Sequence, residues 1–467
     1  MRICLVAFFL IGCASPVKKN MPLKEQPVVK EPIVSAPIRL KPIREFTLDN
    51  GLKVLFIRDN SLPRVSFTML VHSGVREEAN DKGGVNALTA SLLEQGTSSK
   101  SASQIADEYA ELGTDLSISP GVDSTMISTD SLATSSDQLL NLFYETMSSP
   151  SFKDSEIQRL KAQFVAAIKK RSDNPSEMVE ESFQSTLYEG HSYQRALLGN
   201  ESSLKKIRKQ DIVKHYLNWY RPNNAALAVV GSFNEAFEKK VVDIFKAWPQ
   251  RTLKKIPSVR LDDFTDFKMK LISKPGLAQT QIRIGQRGVQ RQNPDYLKLR
   301  LVNEILGGGF TSRLNQRIRD DLGLTYSIGS FIDARYERGS IGITTFTKNE
   351  SVGQTIAEAL KVLEEYVAVG PNEAELRAAK NLLIGQFPRI IETADHLARN
   401  YLYLDFYGIP RSYLSEYNRN IEKTTLAEVN EIIKKYYSPR NQRIVIYGDQ
   451  KLILEQLKSY SPEVINL

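Results

Sequence analysis

The sequence predicts an α+β fold of two homologous domains, each an antiparallel-rich sheet packed with helices. Three observations predict it: alternating apolar residues that mark strands, apolar residues at helical spacing that mark amphipathic helices, and landmarks of the first half that return in the second at a near-constant offset. With 467 residues, 41% of them hydrophobic, the chain is long enough for two cores of ordinary size.

The chain opens with Met1-Arg2, a short apolar run from Ile3 to Leu10, and the ending Leu10-Ile11-Gly12-Cys13. The run is far shorter than the roughly 20 residues of a spanning helix, so residues 1–12 are predicted to be a secretion signal that is removed. The Leu-Ile-Gly-Cys ending resembles the bacterial lipobox, which makes Cys13 the lipidated residue; the competing reading is a chance cysteine closing an ordinary signal. Cys4 lies inside the signal, so the mature body has no thiol to pair and depends on its core rather than on disulfides. Ala14 after Cys13, rather than Asp, resembles the outer-membrane sorting signal. The expectation is a cell-envelope protein, held to the outer membrane by its lipid and facing the periplasm.

Residues 13–45 form a Pro- and Lys-rich tether, with Pro16, Pro22, Pro27, Pro32, Pro37 and Pro42 recurring along it. Such chain is extended, rising about 3.1 Å per residue. Its lysines either touch anionic lipid or simply keep a spacer solvated. The net charge of +8 is spread over the folded part with no basic block among aromatics, which speaks against a nucleic-acid partner.

In the body, Leu52–Arg58 and Val65–Ser73 read as paired strands, with Val65, Phe67, Met69 and Val71 on one face. Ile157, Leu160, Phe164 and Ile168 predict an amphipathic helix over 155–172. Leu297, Leu301, Val302, Ile305 and Leu306 predict another, with Gly307 at its C-terminal end. Tyr220-Arg-Pro-Asn-Asn leads through an apolar strand to Gly231, and Tyr437-Ser-Pro-Arg-Asn leads through another to Gly448, 217 positions on. Lys161 and Lys380 lie 219 apart in similar helices, and Gly96 and Gly308 lie 212 apart. This register argues a duplication, divided in the Lys-, Pro- and Asp-containing stretch near 250–265 into domains 46–258 and 259–467.

Gly51-Leu-Lys-Val, Gly84 to Gly96-Thr97, Asp173-Asn174-Pro175, Tyr220-Arg-Pro-Asn-Asn, and Ser312-Arg-Leu through Gly323-Leu-Thr-Tyr326-Ser together resemble the pitrilysin/insulinase zinc peptidases and the mitochondrial processing peptidase, over essentially all of 46–467. Active members carry His-x-x-Glu-His on a helix, nine residues before a Gly-Thr pair; the two imidazoles hold Zn²⁺ and the Glu activates its water. In this chain those positions read Ala87, Ala90 and Ser91, and the third ligand, a Glu shortly before Asp-Asn-Pro, falls on Ala166 or Ala167. The resemblance therefore implies no metal, no cofactor and no catalytic residue in this chain by itself. The four histidines, His72, His191, His215 and His396, include no pair at helical ligand spacing. With no Gly-x-Ser-x-Gly elbow and no thiol in the body, a nucleophilic peptidase is also unsupported.

The family's non-metal pair looks intact. Active members reach the substrate with an Arg and a Tyr seven residues apart from the domain opposite the zinc, matched here by Arg319 and Tyr326, whose donors suit a substrate backbone and an oxyanion. The plain alternative makes Arg319 an exposed helix residue and Tyr326 a strand aromatic. Gly307-Gly308-Gly309 has three readings: a phosphate cradle, which lacks the following Lys-Ser/Thr; helix termination, which needs one glycine; or a substrate-handling loop like that of the non-catalytic subunit of the mitochondrial processing peptidase, with Phe310 a contact. The resemblance thus implies the half clamshell of a heterodimeric zinc peptidase. This chain is expected to be its substrate-binding subunit, acting on peptides with a zinc-motif-bearing homologue as partner. The alternative is an inactive pseudo-peptidase that binds peptides or scaffolds envelope proteins alone.

Overall fold

The computed structural model describes residues 38 and 40–466, apart from 255, 257 and 258. The predicted signal, Cys13 and most of the tether lie outside the described residues.

The first sheet is built from β1 (Arg44–Thr47), β2 (Lys53–Arg58), β3 (Arg64–Val71), β4 (Ser117–Pro120), β5 (Thr125–Leu132) and β6 (Ala225–Gly231), in the spatial order β1-β2-β6-β3-β5-β4. The second uses β7 (Lys268–Ser273), β8 (Gln279–Arg287), β9 (Ile328–Asp333), β10 (Ser340–Lys348), β11 (Arg443–Gly448) and β12 (Glu463–Asn466), in the order β12-β7-β11-β8-β10-β9. The topologies correspond strand for strand. β6 runs parallel to β2 and antiparallel to β3, and β11 runs parallel to β7 and antiparallel to β8. Only the outer additions differ, since β1 is antiparallel to β2 whereas β12 is parallel to β7.

One strand expectation is corrected. β2 and β3 form as predicted but are not neighbours, because β6 lies between them. Its sequence, Ala-Ala-Leu-Ala-Val-Val-Gly, is buried along its whole length, and a strand apolar on both faces belongs in the middle of a sheet covered on both sides.

The two faces of the first sheet serve different cores. Val65, Phe67, Met69 and Val71 join Val54 and Phe56 in a core closed by helices of the first half. The opposite face, with Leu55, Ile57, Leu70, Ala226 and Ala228, packs with Leu397, Ala398 and Tyr401, carried on the helix Ala394–Phe406 of the second half. The converse also holds. Helix Pro175–Leu187 of the first half sets Val179, Phe183 and Leu187 against Ile272, Val445 and Tyr447 of the second sheet. Each helix thus covers the other half's sheet, and each such fully buried Phe or Leu contributes about 1.5–3 kcal/mol.

Their starts are legible locally. The Asn174 side chain accepts from the N–H groups of Ser176 and Glu177, with Pro175 in the first turn, a strong N-terminal signal. Thr393 caps the second helix by accepting from His396 N–H. The two helices begin 219 positions apart, the offset of the Lys161/Lys380 landmark.

The predicted helix near 155–172 runs from Asp154 to Arg171, with Ile157 and Leu160 buried. The second predicted helix is regular only over Tyr296–Asn303 and widens into a π-helical turn over Glu304–Gly308. Gly307 therefore sits inside a widened turn rather than after a regular helix end.

Candidate functional site

The positions of the lost zinc motif lie on helix Val85–Leu92, which packs against helices Lys209–Trp219 and Asp154–Arg171. The helix starts at Gly84, whose φ is +90° and whose hypothetical Cβ would stand 2.5 Å from Leu198 O, so glycine is required there. Glycine brings no capping side chain. Glu78 supplies it instead, accepting from the N–H groups of Gly84 and Asn86, each at 3.0 Å. Burial pushes the Glu78 carboxyl up to about 8, against the two N–H groups that favour its charged form.

Ala87 and Ala90 are fully buried, Ser91 is half-buried, and Ala166 and Ala167 are exposed on the neighbouring helix. Methyl groups offer zinc no donor, and a single half-buried hydroxyl cannot make a tetrahedral site. The residues present do not fit the metal. Among the described residues, no three His, Cys, Asp or Glu side chains are grouped to hold one.

Beside this helix lies a buried polar network that sequence reasoning did not find. Ser73 Oγ donates to Asn86 Oδ1 at 2.8 Å, and His215 Nε2 lies 3.0 Å from Ser73 Oγ and 3.1 Å from Asn86 Oδ1. With Ser73 donating to Asn86, His215 bears its proton on Nε2 and donates in turn. Burial holds the imidazole down near 3. Ser73 and His215 thus approach as a nucleophile and base would, yet both are sealed in the core and the proton arrangement is the reverse of an activated serine. The network is structural. Its sequence signal was Asn86, the one amide side chain on the helix Val85–Leu92.

In the second half, the glycine loop leans on β9, one of the two edge strands of its sheet. A Cβ on Gly307 would stand 2.4 Å from Ser330 N, whereas one on Gly308 would stand 2.8 Å from the Glu304 carboxylate and 3.2 Å from Asn303 Nδ2, and one on Gly309 2.8 Å from the Glu304 carboxylate. None of the three has a positive φ. The requirement at Gly307 is therefore close backbone approach rather than a left-handed turn.

Arg319 belongs to a second π-helical segment, Asn315–Asp321. Its Nε donates to Asp320 Oδ1 at 2.8 Å, and its guanidinium carbon lies 3.9 Å from the centroid of the Phe310 ring. Phe310 is 71% exposed and Tyr326, just before β9, is 86% exposed. Tyr326 nevertheless stands on a fixed backbone. Thr347 Oγ1 donates to Leu324 O at 2.5 Å, and Thr345 Oγ1 donates to Ser327 O at 2.9 Å, pinning the chain to β10 on either side. Upstream, Arg313 forks onto Glu375 at 2.6 and 2.8 Å, tying the segment to helix Glu373–Ile390. The structure brings Arg319 to Phe310; it does not join Arg319 to Tyr326 by a hydrogen bond.

Two family models match this chain: the insulinase (peptidase family M16) model over residues 53–201, and the peptidase M16 inactive domain model over residues 206–383. The chain belongs to the M16 peptidase family. The M16 relatives include a Bacillus subtilis protein named uncharacterized zinc protease YmxG, 23% identical over 361 residues, which cover 76% of this chain and 87% of that one. Another, named non-peptidase homolog YmxG, comes from Helicobacter pylori; it is 22% identical over 405 residues, covering 85% of this chain and 92% of that one. The crystal structure of a peptidase M16 inactive domain from Pseudomonas fluorescens superposes with a TM-score of 0.81 at 26% identity, over 87% of this chain and 98% of that one. A Helicobacter pylori protease shares the fold with the same TM-score at 20% identity, over 87% of this chain and all of that one. The predicted α+β architecture of two like domains is thus the M16 fold. The inactive-domain model matches the second half of the chain, and in the first half the positions of the zinc motif are held by Ala87, Ala90 and Ser91.

Proposed function

We propose that the chain is the non-metal, substrate-binding subunit of a two-chain zinc peptidase that acts on peptides in the cell envelope. Zinc and general base come from a homologous partner bearing His-x-x-Glu-His. Arg319 and Tyr326 supply hydrogen-bond donors to the peptide backbone and to the oxygen that gains charge at the scissile carbonyl. The observation that carries this reading is Tyr326, an aromatic 86% exposed on a backbone pinned by Thr345 and Thr347; a ring so placed contributes nothing to the core of its own chain. The envelope location rests on the lipobox-like ending at Cys13. Cys13→Ser should move the protein from the membrane to the soluble fraction.

The test is cleavage of a quenched fluorescent peptide library by this chain alone and mixed with a zinc-motif homologue from the same organism. Activity only in the mixture is expected, with Arg319→Ala lowering it and leaving the partner's zinc content unchanged. Full activity of that variant would sink the assignment. A second reading, a peptide-binding scaffold without a catalytic partner, is favoured by the name of the Helicobacter pylori relative. Peptide binding without cleavage in any mixture would select it.

A further inference from the structure

Arg319 is held at two places, and both leave its most useful donors unspent. Nε is committed to Asp320, and one face of the guanidinium lies on the Phe310 ring at 3.9 Å. A guanidinium donates in its own plane, whereas stacking acts perpendicular to that plane. The ring therefore competes with no hydrogen bond, and neither Nη group has an acceptor among the described residues.

Phe310 itself has little reason to be where it is unless it serves Arg319. It is 71% exposed, so it stabilises no core. It follows three glycines, of which Gly307 is locked against Ser330 and Gly308 and Gly309 fold tightly over the Glu304 side chain. The compact loop delivers the ring to the guanidinium, and a side chain at Gly307 would collide with Ser330 N and shift that loop.

We infer that Phe310 is a positioning residue: its ring orients Arg319 so that the Nη edge stays free for an acceptor oxygen of an extended peptide. The inference rests on the substrate-binding reading of Arg319 and adds to it a second residue and a reason for the glycine loop. A pre-oriented, long side chain loses less rotamer freedom on binding.

The experiment uses the full chain and fluorescence anisotropy of a fluorescein-labelled, extended peptide of mixed sequence. Phe310→Ala should weaken binding roughly two- to fivefold, the scale of an exposed cation–π contact. Phe310→Tyr should restore it, and Phe310→Leu, apolar but without a π face, should behave like Ala. In an Arg319→Ala background, Phe310→Ala should have no further effect, because a positioning residue acts only through its partner. Equal weakening by Phe310→Ala in both backgrounds, or full binding by Phe310→Ala or Phe310→Leu, would overturn the inference while leaving Arg319 as the substrate donor. No effect of Arg319→Ala on binding would instead overturn the substrate-binding reading, and the inference with it. Thermal unfolding of each variant should match the parent, since the ring is exposed.

Discussion

Asp123, in the first half of the chain, accepts a 2.8 Å hydrogen bond from the backbone N–H of Tyr336 in the second. Its other oxygen takes the Tyr193 hydroxyl, whose oxygen accepts from Glu337 N–H at 3.0 Å. Arg76 lies 3.9 Å from the centre of the Tyr336 ring. One buried carboxylate thus clasps the turn between β9 and β10 to the first sheet.

Asp123→Ala removes that acceptor and leaves the Tyr193 hydroxyl and the Tyr336 N–H without it. A loss of about 2–4 kcal/mol is expected, read from urea unfolding, with Asp123→Asn costing less because one acceptor oxygen remains. A loss under about 0.5 kcal/mol would mean that the clasp contributes nothing.

The glycine loop makes a graded prediction. Gly307→Ala places a methyl against Ser330 N on a fixed strand, and overpacking of this kind costs about 1–3 kcal/mol. Gly308→Ala meets only the movable ends of the Glu304 and Asn303 side chains and should stay within about 0.5 kcal/mol of the parent. Chemical denaturation of the pair decides it; equal costs would argue against close approach as the reason for Gly307.

Restoring a zinc ligand should harm the fold before it helps the chemistry. Ala87 is fully buried, so Ala87→His should destabilise by about 1–3 kcal/mol through overpacking alone. Differential scanning calorimetry of this single variant is the check. An unchanged midpoint would show that the helix face has room for the motif.

Two buried groups set opposite pH limbs. His215 is depressed from 6.5 to about 3 in the fold, so its contribution is present above 6.5 and is lost as pH falls toward 3. Glu78 is raised from 4.5 to about 8, so its contribution is present below 4.5 and is lost as pH rises through 8. Glu78→Gln should flatten the alkaline limb by one proton's worth, about 1.4 kcal/mol per pH unit between those values. His215→Gln should flatten the acid limb. Stability measured in urea from pH 4 to pH 8 tests both signs.

The strands, the main helices and the duplication were legible because each is a local pattern: alternation in β3, the Asn174-Pro175 start, the returning Tyr-x-Pro segments. Partnership was not. An apolar stripe says that a helix must be covered but carries no address, so nothing in residues 175–187 named the second sheet as their cover. The centrality of β6 escaped for a similar reason, since its burial on both faces was visible but its neighbours lay far away in sequence. At the candidate site, the spacing of Arg319 and Tyr326 was legible. The Arg319–Phe310 stack was not, because two π-helical turns rotate side chains away from the regular helical register on which sequence patterns rest.

The exchange of covering helices has a consequence in time. As the chain emerges from the ribosome, the first sheet has all its strands once Gly231 is made, yet one of its faces stays bare until residues 394–406 arrive. The amino-terminal half therefore cannot mature as a self-sufficient unit ahead of the rest. Folding must finish late and jointly, and any truncation before the helix Ala394–Phe406 should leave a sticky, chaperone-dependent intermediate rather than a smaller working protein.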